Sequence, residues 1–389
     1  MLHFSTSKTE LHRIIALIQN VVSKKGTMPI MANFLLSASK NELRIFASDL
    51  DVTALAILPC QVLAEGSTCV KGSMFGEVVR ELPDGSVEVQ VTSNQRVEVA
   101  AGAARLKLNG VSSSEFPTLH GIGLPLRGRI VAQQLSDMIS KTIYAVSHDE
   151  ARFHLNGLCL EVVPGGSDGV GAELRAVALD GHRLATVSRR CSPPSVTEQV
   201  IVPRKGLTEL RRVLDEDPAS EVEFDMVEGF FAVRTKQVEL AMRLVDGEFP
   251  RYRKLFHPTP GSLISVDGRE LVRALRRVSL LAADSWKCVR FDVSRDRLRL
   301  STWSRDLGEA FEELDVDYND KAFSVGYNVK YMIDLIGALG EDQELRLELY
   351  GGTFPGKFYG AGDPTAFAVL MPMRLEKEEE EQAEEEYDG

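Results

Sequence analysis

Apolar residues recur at intervals of three and four in six stretches of the chain, which is the spacing of one face of an α-helix. In the first stretch, Leu11, Ile14, Ile15 and Ile18 share such a face. The pattern predicts six amphipathic helices in two sets of three. The first set covers residues 7–22, 131–147 and 266–282, and the second set covers residues 71–82, 203–214 and 327–339.

Between these helices, apolar and polar residues alternate one by one, as they do in half-buried β-strands. Residues 87–99 alternate strictly around a turn at Ser93 and Asn94. Residues 221–245 predict three strands in a meander, and residues 288–301 predict a hairpin. Residues 351–362 are rich in glycine and no helix pattern follows them, so we expect a flexible hairpin connection there.

The order helix, strands, helix, strands occurs three times, which indicates a threefold internal repeat. Each copy predicts an α+β domain in which two helices pack on antiparallel sheets. We place the three domains at residues 1–127, 128–257 and 258–375. Residues 376–389 hold nine acidic residues, one lysine and no apolar pattern, so we expect a disordered acidic tail.

The composition argues against several classes of protein. No apolar run approaches the roughly 20 residues that span a bilayer, and the N-terminal residues lack the apolar segment of an export signal. The five cysteines are scattered without a CxxC pair, which indicates neither a zinc site nor a disulfide framework. We therefore expect a cytoplasmic protein without a metal, a cofactor or a membrane partner.

The segment LDGHRLA, residues 179–185, brings Asp180 and His182 close together in the sequence. These residue types are found in proton-transfer sites, in metal sites and in charged turns. The segment lies between two predicted strands, and the other two copies hold residues 47–56 and 304–314 at the same position. Because all three are acid-containing turns and only one has a histidine, the pattern favours a structural turn. A hydrolase that uses Asp180 and His182 is the enzymatic alternative.

Charge is distributed unevenly along the chain. The six predicted helices contain fourteen lysine and arginine residues and eight acidic residues, although the whole chain has a formal net charge of −12. Basic helices indicate a helix-lined surface that faces a polyanion and contacts its phosphates without sequence preference. The alternatives are ordinary solvated helix faces and a scaffold of repeated domains that binds only protein.

Eight motifs are spread over residues 1–375. They are TMPIMANFLL (27–36), VRELPDG (79–85), FHLNG (153–157), DGHRLA (180–185), VPRKG (202–206), LVDGEFPRYRKL (244–255), YNVKYMIDLIGAL (327–339) and VLMPMRL (369–375). In their order and spacing along the whole chain, these motifs resemble the bacterial DNA polymerase III β subunit, the sliding clamp family. One motif alone would not carry this resemblance.

The resemblance implies three clamp domains per chain and a head-to-tail homodimer that closes into a ring around double-stranded DNA. It implies no catalysis, because a clamp tethers the polymerase and raises its effective concentration on the template. The implied partners are the replicative polymerase subunit, the clamp loader, and other DNA polymerases and repair proteins. These partners are expected to bind through short linear motifs in a hydrophobic pocket between the second and third domains.

The resemblance also implies three sets of site residues. The partner-peptide pocket is expected at Leu155, Leu179, Gly181, His182, Arg183, Leu184, Pro250, Lys254, Leu255, Trp286, Asn328, Tyr331, Val369, Leu370, Met371, Pro372, Met373 and Arg374. DNA contacts are expected at Lys25, Arg152, Phe153, His154, Arg204 and Lys205, to which the helix charge adds Arg80, Arg212, Arg276 and Arg277. The dimer contact is expected to join Leu106 and Leu108 to Leu280 and Leu281 of the other chain, although these leucines also suit an ordinary core.

Some positions depart from the family pattern. Leu179 stands where the family commonly has threonine, so the pocket has one polar contact fewer. Thr353 and Pro355 are weaker candidates at the pocket rim. The acidic tail at residues 376–389 follows the pocket motif directly. Its alternative roles are solubility, repulsion of DNA from the outer face and weak competition for the pocket.

Overall fold

The computed structural model describes residues 2–23, 28–92, 94–164, 171–195, 198–256, 259–282, 287–352 and 354–375. Several positions with a predicted role lie outside the described residues. They are Lys25, Ser93, Trp286, Thr353 and the tail at 376–389.

All six predicted helices are present, and each is bounded within its predicted stretch. The apolar face of the first helix is buried, as its spacing predicts, because Leu11, Ile14, Ile15 and Ile18 are at most 1% exposed. The helices are α1 (Lys8–Ile18), α2 (Gly72–Glu81), α3 (Ala132–Thr142), α4 (Arg204–Leu214), α5 (Gly268–Val278) and α6 (Val329–Leu339).

The strands confirm the alternating patterns, including the meander at 221–245 and the hairpin at 288–301. The first copy contributes β1 (His3–Ser7), β2 (Asn33–Ser39), β3 (Glu42–Ser48), β4 (Val52–Pro59), β5 (Gln61–Ala64), β6 (Gly66–Lys71), β7 (Ser86–Val91), β8 (Arg96–Ala101) and β9 (Ala104–Val111). The second contributes β10 (Gly128–Val131), β11 (Gly157–Pro164), β12 (Ala172–Leu179), β13 (Arg183–Cys191), β14 (Val200–Pro203), β15 (Glu221–Val227), β16 (Phe230–Arg234) and β17 (Val238–Arg243). The third contributes β18 (Ser262–Asp267), β19 (Cys288–Ser294), β20 (Arg297–Ser304), β21 (Gly308–Asp315), β22 (Phe323–Asn328), β23 (Glu344–Leu349), β24 (Gly356–Gly360) and β25 (Asp363–Leu370).

One sequence expectation is wrong. The glycine-rich stretch at 351–362 is not a flexible connection, because β24 lies within it and pairs with β23 on one side and β25 on the other. Glycine permits this strand because a side chain at Gly356 would meet the Tyr327 hydroxyl at 2.4 Å.

The described chain forms two compact units. Unit 1 contains residues 1–139, 159–174 and 189–247. It holds a sheet of thirteen strands in the order β10-β15-β16-β17-β4-β3-β2-β6-β9-β8-β7-β1-β5. The strand pairs resolved in this sheet are antiparallel, which agrees with the predicted α+β class.

Unit 2 contains residues 140–158, 175–188 and 248–389. In it, β13, β25, β24, β23 and β18 lie side by side in that order, and a separate sheet has the order β21-β20-β19-β22. Its core includes Tyr327, Phe291 and Phe358, whose rings meet edge to face at 5.4 and 5.5 Å.

Two turns show the internal repeat at atomic detail. Between β3 and β4, the Asp49 carboxylate accepts hydrogen bonds from the Asp51 and Val52 amides at 3.1 and 2.8 Å. Between β12 and β13, the Asp180 carboxylate accepts from the His182 and Arg183 amides at 2.9 and 3.0 Å. The carboxylate closes each turn by bonding backbone amides two and three residues ahead.

The chain returns past both turns in the same way. The amide of Arg243, at the end of β17, donates to the Asp51 carbonyl at 2.8 Å, and the amide of Met371, after β25, donates to the His182 carbonyl at 2.9 Å. The copies therefore share one backbone frame and differ in the side chains that the frame presents.

We predict that Asp225 is essential to unit 1. Its carboxylate is fully buried on β15 and accepts from the amides of Arg127, Ser195 and Met226 and from the Ser195 hydroxyl, at 2.7 to 3.1 Å. Asp225→Asn places an amide NH₂ group opposite these N–H and O–H donors. We therefore expect the substitution to lower the free energy of unfolding by about 3 kcal/mol in urea titrations. Asp306→Asn, at an exposed aspartate, is the control. The prediction is contradicted if the free energy of unfolding changes by the same small amount in both variants.

Candidate functional site

The turn LDGHRLA is a structural turn. Both oxygens of Asp180 are engaged, one by backbone amides and the other by Arg183 Nε at 3.0 Å. Gly181 has φ of +97°, a conformation that glycine adopts without strain. The His182 ring is exposed and stacks on Tyr331 at 6.2 Å, with no hydrogen bond to an acid among the described residues. The described residues therefore do not form the paired acid and base that the hydrolase alternative requires.

Arg183 joins three segments of unit 2. Besides Asp180, its guanidinium donates to Asp334 on α6 at 2.8 Å and to the Tyr144 carbonyl at 2.7 Å. It also lies over the Tyr331 ring, 4.2 Å from the ring centre. Only about a tenth of the side chain is exposed. Arg183 therefore positions Tyr331 and, through it, His182 at the surface.

The end of β25 forms the next part of the site. Val369 and Leu370 pair with Leu184 and Arg183 and are buried, whereas Met371 is 42% exposed. After Met371, the chain is held a second time, because the Met373 amide donates to the Gly326 carbonyl at 2.8 Å. The methionines are thus presented on a fixed backbone beside His182 and Tyr331. A flexible, polarizable side chain on a rigid backbone suits the binding of varied apolar ligands.

Asn328 has a clear local role in this site. Its side chain accepts from the Lys330 and Tyr331 amides at 3.0 and 3.2 Å, which caps the N-terminus of α6. The cap fixes the first turn of the helix, and Tyr331 lies in that turn. Asn328 therefore acts on the site by positioning Tyr331.

A cavity of about 130 Å³ borders the site, and most of its lining residues were not predicted from the sequence. Leu255 and Val369, which were predicted, line it together with residues that were not. The lining residues on β23, β24 and β25 lie at alternate positions that pair across neighbouring strands, so they share one face of the sheet. The alternation of residues along each strand is the signal that could have identified them. The missed residues are Phe256, Glu348, Tyr350, Lys357 and Phe367, with Pro355 the weak candidate at the rim.

The predicted pocket residues separate into core and surface. Five apolar members are buried and support the site from below. The other described members are of intermediate or full exposure, although the Arg183 side chain is largely buried, and Trp286 lies outside the described residues. The buried members are Leu155, Leu179, Leu184, Val369 and Leu370, and the others are Gly181, His182, Arg183, Pro250, Lys254, Leu255, Asn328, Tyr331, Met371, Pro372, Met373 and Arg374.

Most residues predicted to contact DNA are exposed cations with an acidic partner. Phe153 is 56% exposed, and the His154 ring meets it edge to face. Pairs in which both groups are exposed contribute little to stability, whereas Asp49 and Glu209 are nearly buried acids. The pairs are Arg80–Glu81, Arg152–Asp149, Lys205–Asp49, Arg212–Glu209, Arg276–Glu341 and Arg277–Glu312, while Arg204 is the first residue of α4 and Lys25 lies outside the described residues.

The leucines predicted at the dimer contact are not a buried core. Leu280 is 76% exposed, which overturns the core alternative for this residue. Leu106, Leu108 and Leu281 are of intermediate exposure. Beside Leu280, the edge strand β21 presents Phe311, which is 63% exposed and was missed by the sequence analysis.

The described part of the chain offers little other chemistry. No group of three His, Cys, Asp or Glu residues there could hold a metal ion, and no described helix is long and apolar enough to cross a membrane. Burial raises the pKa of Cys60, Cys69 and Cys191 to about 11, so these thiols stay protonated at neutral pH.

We predict that Arg183→Lys weakens unit 2, because a lysine cannot bridge two carboxylates and a carbonyl in one plane. The expected loss is about 2 kcal/mol of unfolding free energy in urea, together with a changed near-ultraviolet signal from Tyr331. Arg152→Lys is the matched control, because its exposed pair with Asp149 at 3.4 Å should contribute under about 1 kcal/mol. Equal losses of unfolding free energy in the two variants would contradict a bridging role for Arg183.

Comparison with known proteins gives one consistent family. Profiles of the DNA polymerase III beta subunit match its N-terminal domain at residues 2–120, its central domain at 129–251 and its C-terminal domain at 253–374. The beta sliding clamp of Pseudomonas aeruginosa is 30% identical over 377 residues, covering 96% of this chain and 100% of that protein. The beta sliding clamp of Escherichia coli is 28% identical, with the same coverage.

Solved structures agree with the sequences. The sliding clamp of Pseudomonas aeruginosa with ligand has a TM-score of 0.88 at 29% identity, and the Bartonella birtlesii clamp bound to griselimycin has 0.88 at 26%, each covering 96% of this chain and 100% of the other. The chain belongs to the DNA polymerase III beta subunit family, the sliding clamps, which are non-catalytic processivity factors of DNA replication.

Proposed function

We propose that two copies of this chain close head to tail into a ring around double-stranded DNA and hold a replicative polymerase there. Each chain contributes three domains, at residues 1–127, 128–257 and 258–375. We place this activity in the cytoplasm, where a bacterial chromosome is replicated. The observation that carries the proposal is a pair of complementary open strand edges, one in each unit.

The first open edge belongs to β21. This strand ends its four-stranded sheet, and its outward positions carry Glu309, Phe311, Glu313 and Asp315. An unpaired strand with an exposed aromatic residue is a surface that another strand can extend. Leu280 lies on the 3₁₀ turn that packs beside β20 and β21. The edge is therefore acidic with an apolar centre.

The second open edge belongs to β9. It pairs with β8 along its length but with β6 only at Gly110 and Val111, so residues 104–109 have one free side among the described strands. Arg105 and Lys107 alternate there with the half-buried Leu106 and Leu108. Within the chain Lys107 is paired with Glu98 and Glu313 with Arg297. The complementarity of the two edges therefore rests mainly on Leu106 and Leu108 facing Phe311 and Leu280, with Arg105 opposite Glu309 and Asp315 as the charged flanks. Pairing β9 of one copy with β21 of the next gives the heterologous contact that closes a ring.

DNA is held by enclosure in this proposal, and its direct affinity is low. The cations proposed to face it, such as Arg80, Arg212 and Arg277, already have acidic partners on the protein. Their net attraction for phosphate is therefore small and falls further with salt. A ring of this kind slides freely along the duplex. It is retained because a closed ring cannot leave the DNA without opening.

Partners dock at the surface around His182, Tyr331, Met371 and Met373. The exposed apolar groups lie on a fixed backbone, which supports a binding site for short peptides with apolar anchors. The neighbouring cavity has room for one further side chain of such a peptide. The clamp loader, the polymerase subunit and repair proteins would then share one site in turn.

Leu280→Asp tests the ring. A charge in the apolar centre of the contact should raise the dimer dissociation constant by about thirtyfold or more, measured by analytical ultracentrifugation. After loading onto nicked circular DNA, wild type should remain bound at high salt until the circle is cut, whereas the variant should not be retained. Leu63→Asp, at a leucine 50% exposed on β5, is the control and should behave as wild type. Equal loss of wild type from circles and linear DNA would favour a protein-only scaffold.

Met371→Asp tests the peptide site. We expect at least a tenfold loss of affinity for a labelled peptide from the replicative polymerase, measured by fluorescence anisotropy, with the dimer intact. Met74→Asp is the matched control, because Met74 is 44% exposed and lies in unit 1. If both variants bind the peptide as wild type does, the docking site lies elsewhere.

A further inference from the structure

The cavity of about 130 Å³ in unit 2 adjoins the predicted peptide pocket without coinciding with it. Among the described residues, its lining shares Leu255 and Val369 with that pocket but includes neither Leu179 nor Leu184. The other walls come from β23, β24, β25 and the segment that precedes β18. The cavity is therefore a separate space that meets the peptide site through two shared side chains.

The walls of the cavity are largely aromatic and hold one another in place. The Phe256 and Phe367 rings meet edge to face at 5.3 Å, and the Tyr252 ring meets Phe256 in the same way at 5.9 Å. Tyr350 lines another side, and its hydroxyl donates to Glu348 at 2.7 Å. Because each ring is fixed by a neighbour, the cavity is formed before a ligand enters it, which lowers the cost of binding.

The two charged groups in the wall neutralise each other. Glu348 Oε2 lies 3.5 Å from Lys357 Nζ, and Glu348 Oε1 accepts from the Tyr350 hydroxyl and the Gly261 amide at 2.7 and 3.2 Å. Lys357 Nζ also lies over the Phe367 ring, 5.0 Å from the ring centre. A charged ligand group would lose its water on entry and find both wall charges already matched. The cavity therefore favours an uncharged, apolar side chain.

The size of the cavity and the geometry of its walls favour an aromatic ring. An engineered apolar cavity of comparable size, roughly 150 Å³, takes up benzene. The Phe256 and Phe367 rings offer a third ring the edge-to-face and offset contacts in which aromatic pairs gain more than the area they bury. A leucine side chain fits the same space but lacks this gain.

The cavity also lies at a defined distance from the exposed methionine of the peptide site. Val369 on β25 lines the cavity, and Met371 directly after β25 is exposed. Positions two apart on an extended chain point to the same side and are about 7 Å apart. The Met371 amide still donates to the His182 carbonyl, so the extended backbone continues to this residue. The same separation joins alternate residues of an extended peptide that runs along β25.

We propose that the cavity is a second anchor pocket of the peptide site. It takes an aromatic side chain two residues away from the apolar residue that contacts Met371, and Phe367 is the residue that determines this specificity. The inference rests on the proposed peptide site, which it extends from one anchor to two. The partner class is an extended peptide with an aliphatic and an aromatic anchor at alternate positions.

The test uses three labelled synthetic peptides of equal length and no net charge, built symmetrically so that either direction of binding is covered. The first has phenylalanine two residues to each side of a central leucine. The second has leucine at both of those positions, and the third has the phenylalanines three residues from the centre. Binding is followed by fluorescence anisotropy.

The proteins compared are wild type, Phe367→Leu and a matched control. Phe367→Leu removes the ring from the cavity wall and keeps an apolar side chain there. Tyr359→Leu is the control, because the Tyr359 ring also lies under Lys357 Nζ, at 5.2 Å, but is not part of the cavity lining.

We expect wild type to bind the first peptide about three to ten times more tightly than the second or the third. Phe367→Leu should bring the first two affinities within about twofold of each other. It should bind the second peptide as wild type does, which shows that the variant is folded. Tyr359→Leu should keep the wild-type preference.

The inference is overturned if wild type binds the first two peptides equally, if the third binds as tightly as the first, or if Phe367→Leu keeps the full preference. In each of these cases the second peptide still binds, so the proposed peptide site stands without its second anchor. If none of the three peptides binds wild type, the proposed peptide site fails and this inference fails with it.

Discussion

The site in unit 2 depends on one buried guanidinium. Arg183 donates hydrogen bonds to Asp180, Asp334 and the Tyr144 carbonyl, and its guanidinium group lies over the Tyr331 ring. The cost of burying this charge is offset only because its hydrogen bonds are met from three separate segments. Since each segment also carries or adjoins a site residue, the geometry of the exposed surface follows from the buried contact. Asp180 has two tasks, because its other oxygen closes the turn that starts β13.

The first copy shows which of these features belong to the frame. Asp49 closes its turn as Asp180 does, and the returning strand is held at Asp51 as it is at His182. The frame therefore does not explain why unit 2 presents exposed apolar groups at the proposed peptide site. Val52 stands where the second copy has Arg183, and the returning strand presents Arg243 where Met371 is found. The two turns thus share a backbone and differ in the side chains that they present.

Much of this could be predicted from the sequence, and the limits have physical causes. Periodicity located all six helices and the strands within residues 87–99, 221–245 and 288–301, because burial of one face dictates spacing. It failed at 356–360, because the glycines at both ends of β24 suggested a loop although the strand alternates and Gly356 packs closely against Tyr327. Spacing also could not separate Leu280 from a core leucine, because exposure depends on which elements pack over a residue after the chain folds. The cavity beside Val369 was missed because its walls come from three strands that are adjacent only after folding.

The distribution of charge in the described chain suits the proposed ring. The helix cations are largely matched by acids of their own fold, as in the pairs of Arg13 with Glu10 and Glu216 and of Arg277 with Glu312. In the proposed ring this matching is useful, because strong phosphate contacts would hinder sliding that enclosure alone makes productive. At the proposed peptide site the cations differ among themselves, because Arg183 is held by Asp180 and Asp334 whereas Lys254, Lys330 and Arg374 have no ion-pair partner among the described residues. The matched cation holds the geometry of the site, and in this proposal the exposed cations remain available to a bound partner.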